Sequence, residues 1–225
     1  MSEPLAIIGG AGAGLGKSLL HTFAQSGYTA VGLNRSVPDG SSGMIHGVDL
    51  SDPDQTTQAV SRLIQAHGAP KLVVHNAAKL VISGFEDTTN ADFEATWSAM
   101  VMTAVNLARS ILPAMVENGG GTFIVSGATA SLRGGKNFAA FASAKAGLRA
   151  LTQSLAREYG PQGIHVAHVV LDGIVDTDAS RALHGMDPAR MMKPADIAQT
   201  YLSLADQPRS TWTHELDLRP MGEAF

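Results

Sequence analysis

The chain has 225 residues, 44% of them hydrophobic and 16% charged, enough to bury one full core, so a single domain over 1–225 is expected. Its formal net charge is −4, and its 16 basic residues are scattered rather than gathered into a stripe that could follow a phosphate backbone; nucleic acid is excluded as the expected partner, and a small uncharged or anionic ligand is favoured. There is no cysteine, which rules out disulfides, thiolate metal sites and a cysteine nucleophile, and no metal is expected.

Met1 to Pro4 carries no basic segment, and glycines interrupt the apolar stretch Leu5 to Gly16 too early for a secretory signal. The apolar runs fall short of a membrane span, so a cytoplasmic protein with no membrane partner is expected. Short β-branched runs predict strands near Leu5 to Ile8, Thr29 to Leu33, Met44 to Val48, Leu72 to His75, Thr122 to Ser126, Val166 to Val170 and Glu215 to Leu218. Between them, amphipathic stretches predict helices near Leu15 to Gln25, Pro53 to His67, Ala91 to Val116, Ala139 to Glu158 and Pro194 to Leu204. Ser51-Asp52-Pro53 reads as an N-cap with proline at the first helical position, and Gly27, Gly68 and Gly160 fall where helices should stop. Strands alternating with helices point to an α/β fold, a doubly wound parallel sheet of seven strands of the Rossmann type, with ligands at the carboxyl ends of its strands.

The first strand runs into Gly9-Gly10-Ala11-Gly12-Ala13-Gly14-Leu15-Gly16 and then a helix. Glycines there let the backbone turn tightly, admit a pyrophosphate without a Cβ in the way, and aim helix amides at negative charge; a flexible turn with close helix packing is the plainer reading. Gly10, Gly14 and Gly16 match the TGxxxGxG spacing of the short-chain dehydrogenases/reductases, and the chain resembles that family over nearly its whole length. Asp49-Leu50 resembles the pair that contacts adenine. Asn76-Ala77-Ala78 looks like the end of the family's NNAG segment, with His75 at its first asparagine. Gly173 and Thr177 resemble the motif beside the nicotinamide, with Asp172 in place of its proline. Each residue also has a local reading: Asp49 caps a turn, Asn76 bonds loop backbone, and Thr177 caps a short helix.

The resemblance implies a nicotinamide dinucleotide. At the end of the second strand a carboxylate would bind both ribose hydroxyls; here stand Asn34 and Arg35, an amide and a guanidinium suited to a 2′-phosphate, so NADP(H) is favoured over NAD(H) unless Arg35 is merely a solvated loop residue. An active member of the family needs a tyrosine with a lysine four residues on, a serine and an asparagine. The matching segment is Phe141-Ala142-Ser143-Ala144-Lys145, so Lys145 is present and Phe141 takes the tyrosine position. The tyrosines of the chain are Tyr28, Tyr159 and Tyr201, none with a lysine four residues on. Ala128 takes the serine position, with Ser126 the nearest hydroxyl, and Met100 takes the asparagine position, with Asn106 nearly two turns away.

Lys145 can still hold the nicotinamide ribose, its plainer reading being an exposed helical lysine. Asp172 is the most suggestive substitute acid, its plainer reading being a turn that bonds local backbone; Ser143, His75 and Lys79 are candidates by proximity only. His165, His168 and His214 read as packing residues. Two functions follow: an oxidoreductase moving hydride to or from a small carbonyl or alcohol by an unusual route, or a catalytically silent dinucleotide-binding regulator or partner subunit. Cofactor-free dehalogenase chemistry fits neither the retained glycines nor the missing tyrosine. The two long helices, rich in small side chains, pair across a two-fold axis in the family, which implies a homodimer or homotetramer.

Overall fold

The computed structural model describes residues 3–37, 41 and 44–222; Met1 and Ser2 of the N-terminal reading lie outside them. Seven parallel strands form one sheet: β1 (Leu5–Gly9), β2 (Thr29–Asn34), β3 (Ile45–Gly47), β4 (Leu72–His75), β5 (Gly121–Ser126), β6 (Ile164–Leu171) and β7 (Glu215–Leu218). Their order is β3-β2-β1-β4-β5-β6-β7, so the chain builds outward from β1 in both directions and the loops part at the β1/β4 seam, where an open α/β sheet makes its crevice. The helices are α1 (Leu15–Gln25), α2 (Pro53–His67), α3 (Asn90–Trp97), α4 (Thr103–Glu117), α5 (Ala139–Tyr159), α6 (Asp178–His184) and α7 (Pro194–Ala205).

Both faces of the sheet are covered, which is why its central strands are buried at nearly every position and largely apolar rather than alternating. Along β1, Leu5 and Ile7 enter a core with Val60 of α2, Leu107 of α4 and Leu148 of α5, while Ala6 and Ile8 enter another with Phe23 of α1 and Tyr201 of α7. The Asp52 carboxylate caps α2 by accepting from the amides of Asp54 and Gln55, with Pro53 at the first position, as the sequence predicts.

The differences from expectation have local causes. The helix predicted over 91–116 is interrupted by a π-helical turn, Ser98–Met102, where one extra residue is inserted and the Thr103 amide reaches back to the Ser98 carbonyl. The Thr103 hydroxyl also donates to the carbonyls of Ala99 and Met100, 3.0 and 3.1 Å away. The third strand is shorter than predicted and β6 longer. Gly160 does not end its helix in a left-handed turn; the chain runs on through a 3-10 turn to Gly163, at φ 88°. The run Asn90–Glu117 has the length and apolarity of a membrane span, but 56% of its most apolar window is buried inside the fold, the mark of a core helix.

Candidate functional site

The turn after β1 uses its glycines in different ways. Gly10 sits at φ +84°, and a Cβ there would lie 2.5 Å from the Ala77 amide nitrogen; a Cβ on Gly16 would lie 2.6 Å from the Ala11 Cα. These two are required by the protein's own packing. A Cβ on Gly14 would strike the Thr177 methyl at 2.6 Å, so the loop after β6 closes against the turn. Gly12 is different: a Cβ there meets nothing within 4 Å among the described residues.

Helix α1 begins after Gly14 with no side-chain cap and no acidic residue in its first turn. The backbone amides of Gly14, Leu15 and Gly16 have no hydrogen-bond partner among the described residues. They border a groove of about 850 Å³ that runs along the carboxyl ends of β1, β2 and β4. Unpaired amides at a helix N-terminus are a ready anion site.

All the predicted cofactor-facing residues except Lys145 and Gly173 border this groove: Gly10, Gly14, Leu15, Gly16, Asn34, Arg35, Asp49, Leu50, Asn76, Ala77, Ala78 and Thr177. The Asn34 amide donates to the Ser36 carbonyl at 2.7 Å, and Arg35 is exposed. The hydroxyl and amide of Ser51 donate to Asp49 and hold its carboxyl below the usual carboxylate value, with a smaller pull from Arg35. Asn76 donates to the Gly10 carbonyl at 3.2 Å, and Thr177 accepts from the Ser180 amide at 3.1 Å to cap α6. The local readings and the groove therefore hold together: the side chains that fix the loops are the ones that line it. Gly173 is instead packed inside, a Cβ there falling 2.6 Å from Pro220 Cδ.

The predicted catalytic positions gather around α5. Lys145 is 4% exposed, not the solvent-facing lysine of the plainer reading. Its Nζ donates to the Ser126 carbonyl at 2.8 Å and lies 5.8 Å from the centre of the Phe141 ring. Burial lowers its pKa to about 8. Phe141 is half-buried against the core, Met100 is fully buried in the π-helical turn, and the Ala128 amide donates to the Ser131 hydroxyl at 3.1 Å. Ser126 points its hydroxyl to the opposite face of the sheet, where it bonds Tyr201 at 2.9 Å, so it does not stand in for the missing serine. Asn106 donates to the Leu50 carbonyl at 3.0 Å and ties α4 to the loop after β3.

Asp172 departs from its plainer reading. It is 3% exposed, and its carboxylate accepts from the Thr129 hydroxyl on one oxygen and from the Arg219 guanidinium on the other. Its side chain bonds no local backbone among the described residues. Ser143 donates to the Ala140 carbonyl and accepts from Trp97, and Lys79 borders the groove. His165 stacks on Trp212 with ring centres 5.0 Å apart. His75 is fully buried, bonded through Nε2 to Thr103 at 2.8 Å, and burial lowers its pKa to about 3, with nearby Lys145 adding to the fall.

Thr103 also borders the groove, and neither it nor Thr129 and Arg219 is singled out by the sequence. The one available signal was the unusual Asp172, which begs for a cation; which cation answers depends on strand register.

Residues 4–187 match the family described as short chain dehydrogenase. An uncharacterized short-chain type dehydrogenase/reductase of Sinorhizobium fredii is 27% identical over 226 residues, covering 89% of each chain. The crystal structure of a short-chain dehydrogenase from Rhodopseudomonas palustris is 32% identical, with a TM-score of 0.81 over 96% of this chain and 98% of that one. A metagenomic short-chain oxidoreductase in complex with NADP shares the fold at 23% identity and a TM-score of 0.83, over 98% and 99% of the two chains. The chain belongs to the short chain dehydrogenase family.

Proposed function

We propose that this chain is an NADP(H)-binding oxidoreductase acting on a small carbonyl or alcohol, in which the family's tyrosine, serine and asparagine are replaced by Phe141, Ala128 and Met100. The observation that carries the reading is the groove at the β1/β4 seam, where three unpaired amides at the start of α1 offer a pyrophosphate its hydrogen bonds. Asn34 and Arg35 at the end of β2 suit a 2′-phosphate, and the NADP complex of the metagenomic neighbour supports the same choice. Lys145 has two ammonium protons beyond the one given to Ser126 for the ribose hydroxyls. Bound there, the nicotinamide would supply or accept hydride at a carbonyl or carbinol carbon.

The residues around that carbon bind and orient; Phe141, Ala128 and Met100 cannot transfer a proton. That gap favours a second reading, a silent dinucleotide-binding regulator or partner subunit. Titration with NADPH and NADH, then a scan for NADPH oxidation over a carbonyl panel, separates the two. In the same titration Arg35→Ala should weaken NADPH binding by about tenfold and leave NADH unchanged, the loss of one charge-assisted hydrogen bond. Equal losses for both cofactors would show that Arg35 does not read the phosphate. The reading includes a homodimer or homotetramer, supported by the exposed Trp97 just before the π-helical turn and Met102 at its end; a monomeric mass by light scattering at micromolar concentration rules it out.

A further inference from the structure

Among the described residues, the charged side chains that border the groove are Arg35 after β2, Asp49 after β3 and Lys79 after β4. Asp49 is occupied, accepting from the hydroxyl and amide of Ser51, and Arg35 is matched to a 2′-phosphate. Lys79 has no such task. It is exposed, and among the described residues it makes no hydrogen bond and no ion pair. The hydroxyl and amide of Thr89 hold the Asp92 carboxyl below its usual value, and Lys79 adds only a smaller pull.

The loop that carries Lys79 is pressed against the glycine turn. A Cβ on Gly10 would lie 2.5 Å from the Ala77 amide nitrogen and 2.7 Å from its Cα, and Asn76 donates to the Gly10 carbonyl at 3.2 Å. Lys79 lies two residues beyond Ala77, at most about 7 Å along the chain, and its flexible four-carbon stem extends that reach. Gly12, Gly14 and Lys79 border the same groove, so the ammonium and the α1 amides serve one space. Arg35 stands on the other side of β1, since β2 and β4 flank that strand, and the two cations suit different anions.

Charge decides what belongs between Lys79 and α1. A pyrophosphate carries a negative charge on each phosphorus, whereas a helix start supplies the equivalent of only about half a positive charge. Lys17 of α1 is exposed and does not border the groove. A lysine ammonium is a point charge with three donors, a good match for phosphate oxygens.

We infer that Lys79 is a cofactor-binding residue whose ammonium neutralises the pyrophosphate of the dinucleotide, facing the α1 amides across the groove. The inference rests on the NADP(H) reading for its ligand. It divides the work between the cations: Arg35 distinguishes NADPH from NADH, and Lys79 serves both alike.

The test is a calorimetric titration of NADPH, NADH and adenosine 2′-monophosphate, which keeps the 2′-phosphate and lacks the pyrophosphate. Lys79→Gln should weaken NADPH and NADH by the same factor, about tenfold, the size of one charge-assisted hydrogen bond, and leave the monophosphate unchanged. Lys79→Arg should retain both dinucleotides. Arg35→Ala should invert the pattern, weakening NADPH and the monophosphate but not NADH, and in the double variant the two losses of NADPH affinity should multiply. The gap between wild type and Lys79→Gln should narrow as salt rises, and without ligand their melting temperatures should agree, which separates lost charge from lost fold. Unchanged dinucleotide affinity in Lys79→Gln overturns the inference, as does a loss confined to NADPH, which would put Lys79 at the 2′-phosphate; both outcomes leave the NADP(H) reading standing. If neither dinucleotide binds the wild type, that reading fails and this inference falls with it.

Discussion

The carboxyl ends of β1 and β4 and those of β5 and β6 belong to one sheet, yet they treat their polar groups in opposite ways. At the β1/β4 seam the amides of Gly14, Leu15 and Gly16 have no partner among the described residues, and the side chains that stabilise the loops do so while lining the groove. At β5 and β6 the polar groups are bonded to one another: Lys145 to the Ser126 carbonyl, Ser126 to Tyr201, and Thr129 to Asp172 and Arg219. Unpaired donors in a folded protein are costly unless water or a ligand takes them. The first region is thus arranged for a ligand, and the second has turned inward, with Thr129 as its half-exposed end.

The largest expected effect lies in the second region. Burial holds Lys145 at about 8, below its ordinary 10.5, so between those values the unfolded chain carries the proton and the folded chain does not. Stability therefore rises with pH across about pH 8 to 10, by on the order of 3 kcal/mol for a shift of this size. Below about pH 8 the buried ammonium is charged in both states and its cost is fully present. Urea unfolding of the wild type and of Lys145→Met, compared at several pH values through this window, should show wild-type stability rising relative to that of the methionine variant, which lacks the titrating group. A flat difference would mean that Lys145 is solvated, and the contrast between the regions would lose its central residue.

The next effect asks whether the inward turn is what limits chemistry. Ala128→Ser with Phe141→Tyr restores a hydroxyl beside the carbonyl oxygen and a phenol on the helix face of Lys145, and should raise NADPH-dependent carbonyl reduction at neutral pH by at least about a hundredfold, the low end for one general acid. Each single change should do much less, since the two groups act on one oxygen. Brisk wild-type turnover that ignores both changes would reveal another acid.

The sequence is an uneven guide to these two regions, for a physical reason. The β1 turn is written in contiguous residues, glycines between an apolar strand and an amphipathic helix, and each strand of the sheet announces itself over three to eight residues. The Asp172–Arg219 pair joins residues 47 apart and exists because β6 and β7 pair with Leu171 beside Leu218. A register is a property of two strands together, so neither residue announces the other. The π-helical turn at Ser98–Met102 escaped for a related reason: one inserted residue hardly disturbs an apolar helical pattern, and the partners of Thr103, the Ala99 and Met100 carbonyls and His75, meet only once the turn has formed. The closing of Thr177 against Gly14 is likewise a contact between distant loops.

The smallest effect separates a groove shaped for a ligand from one shaped only by packing. Gly12 borders the groove, its φ lies outside the left-handed range, and a methyl there meets no atom of the described residues within 4 Å. Gly12→Ala therefore costs the fold nothing in contacts and removes backbone freedom from the unfolded chain, a gain of about 0.4 to 1 kcal/mol. For a chain of this length that is a rise in melting temperature of roughly 1 to 4 °C. If the open space above Gly12 is where a pyrophosphate comes against bare backbone, the same methyl pushes the phosphate off the α1 amides, and NADPH affinity should fall by about tenfold, one charge-assisted hydrogen bond. Opposite signs in the two measurements, a more stable protein that binds less well, are what a ligand-shaped turn requires. A packing turn gives the rise in melting temperature with NADPH affinity unchanged, and that pair of results would move the phosphate site away from α1.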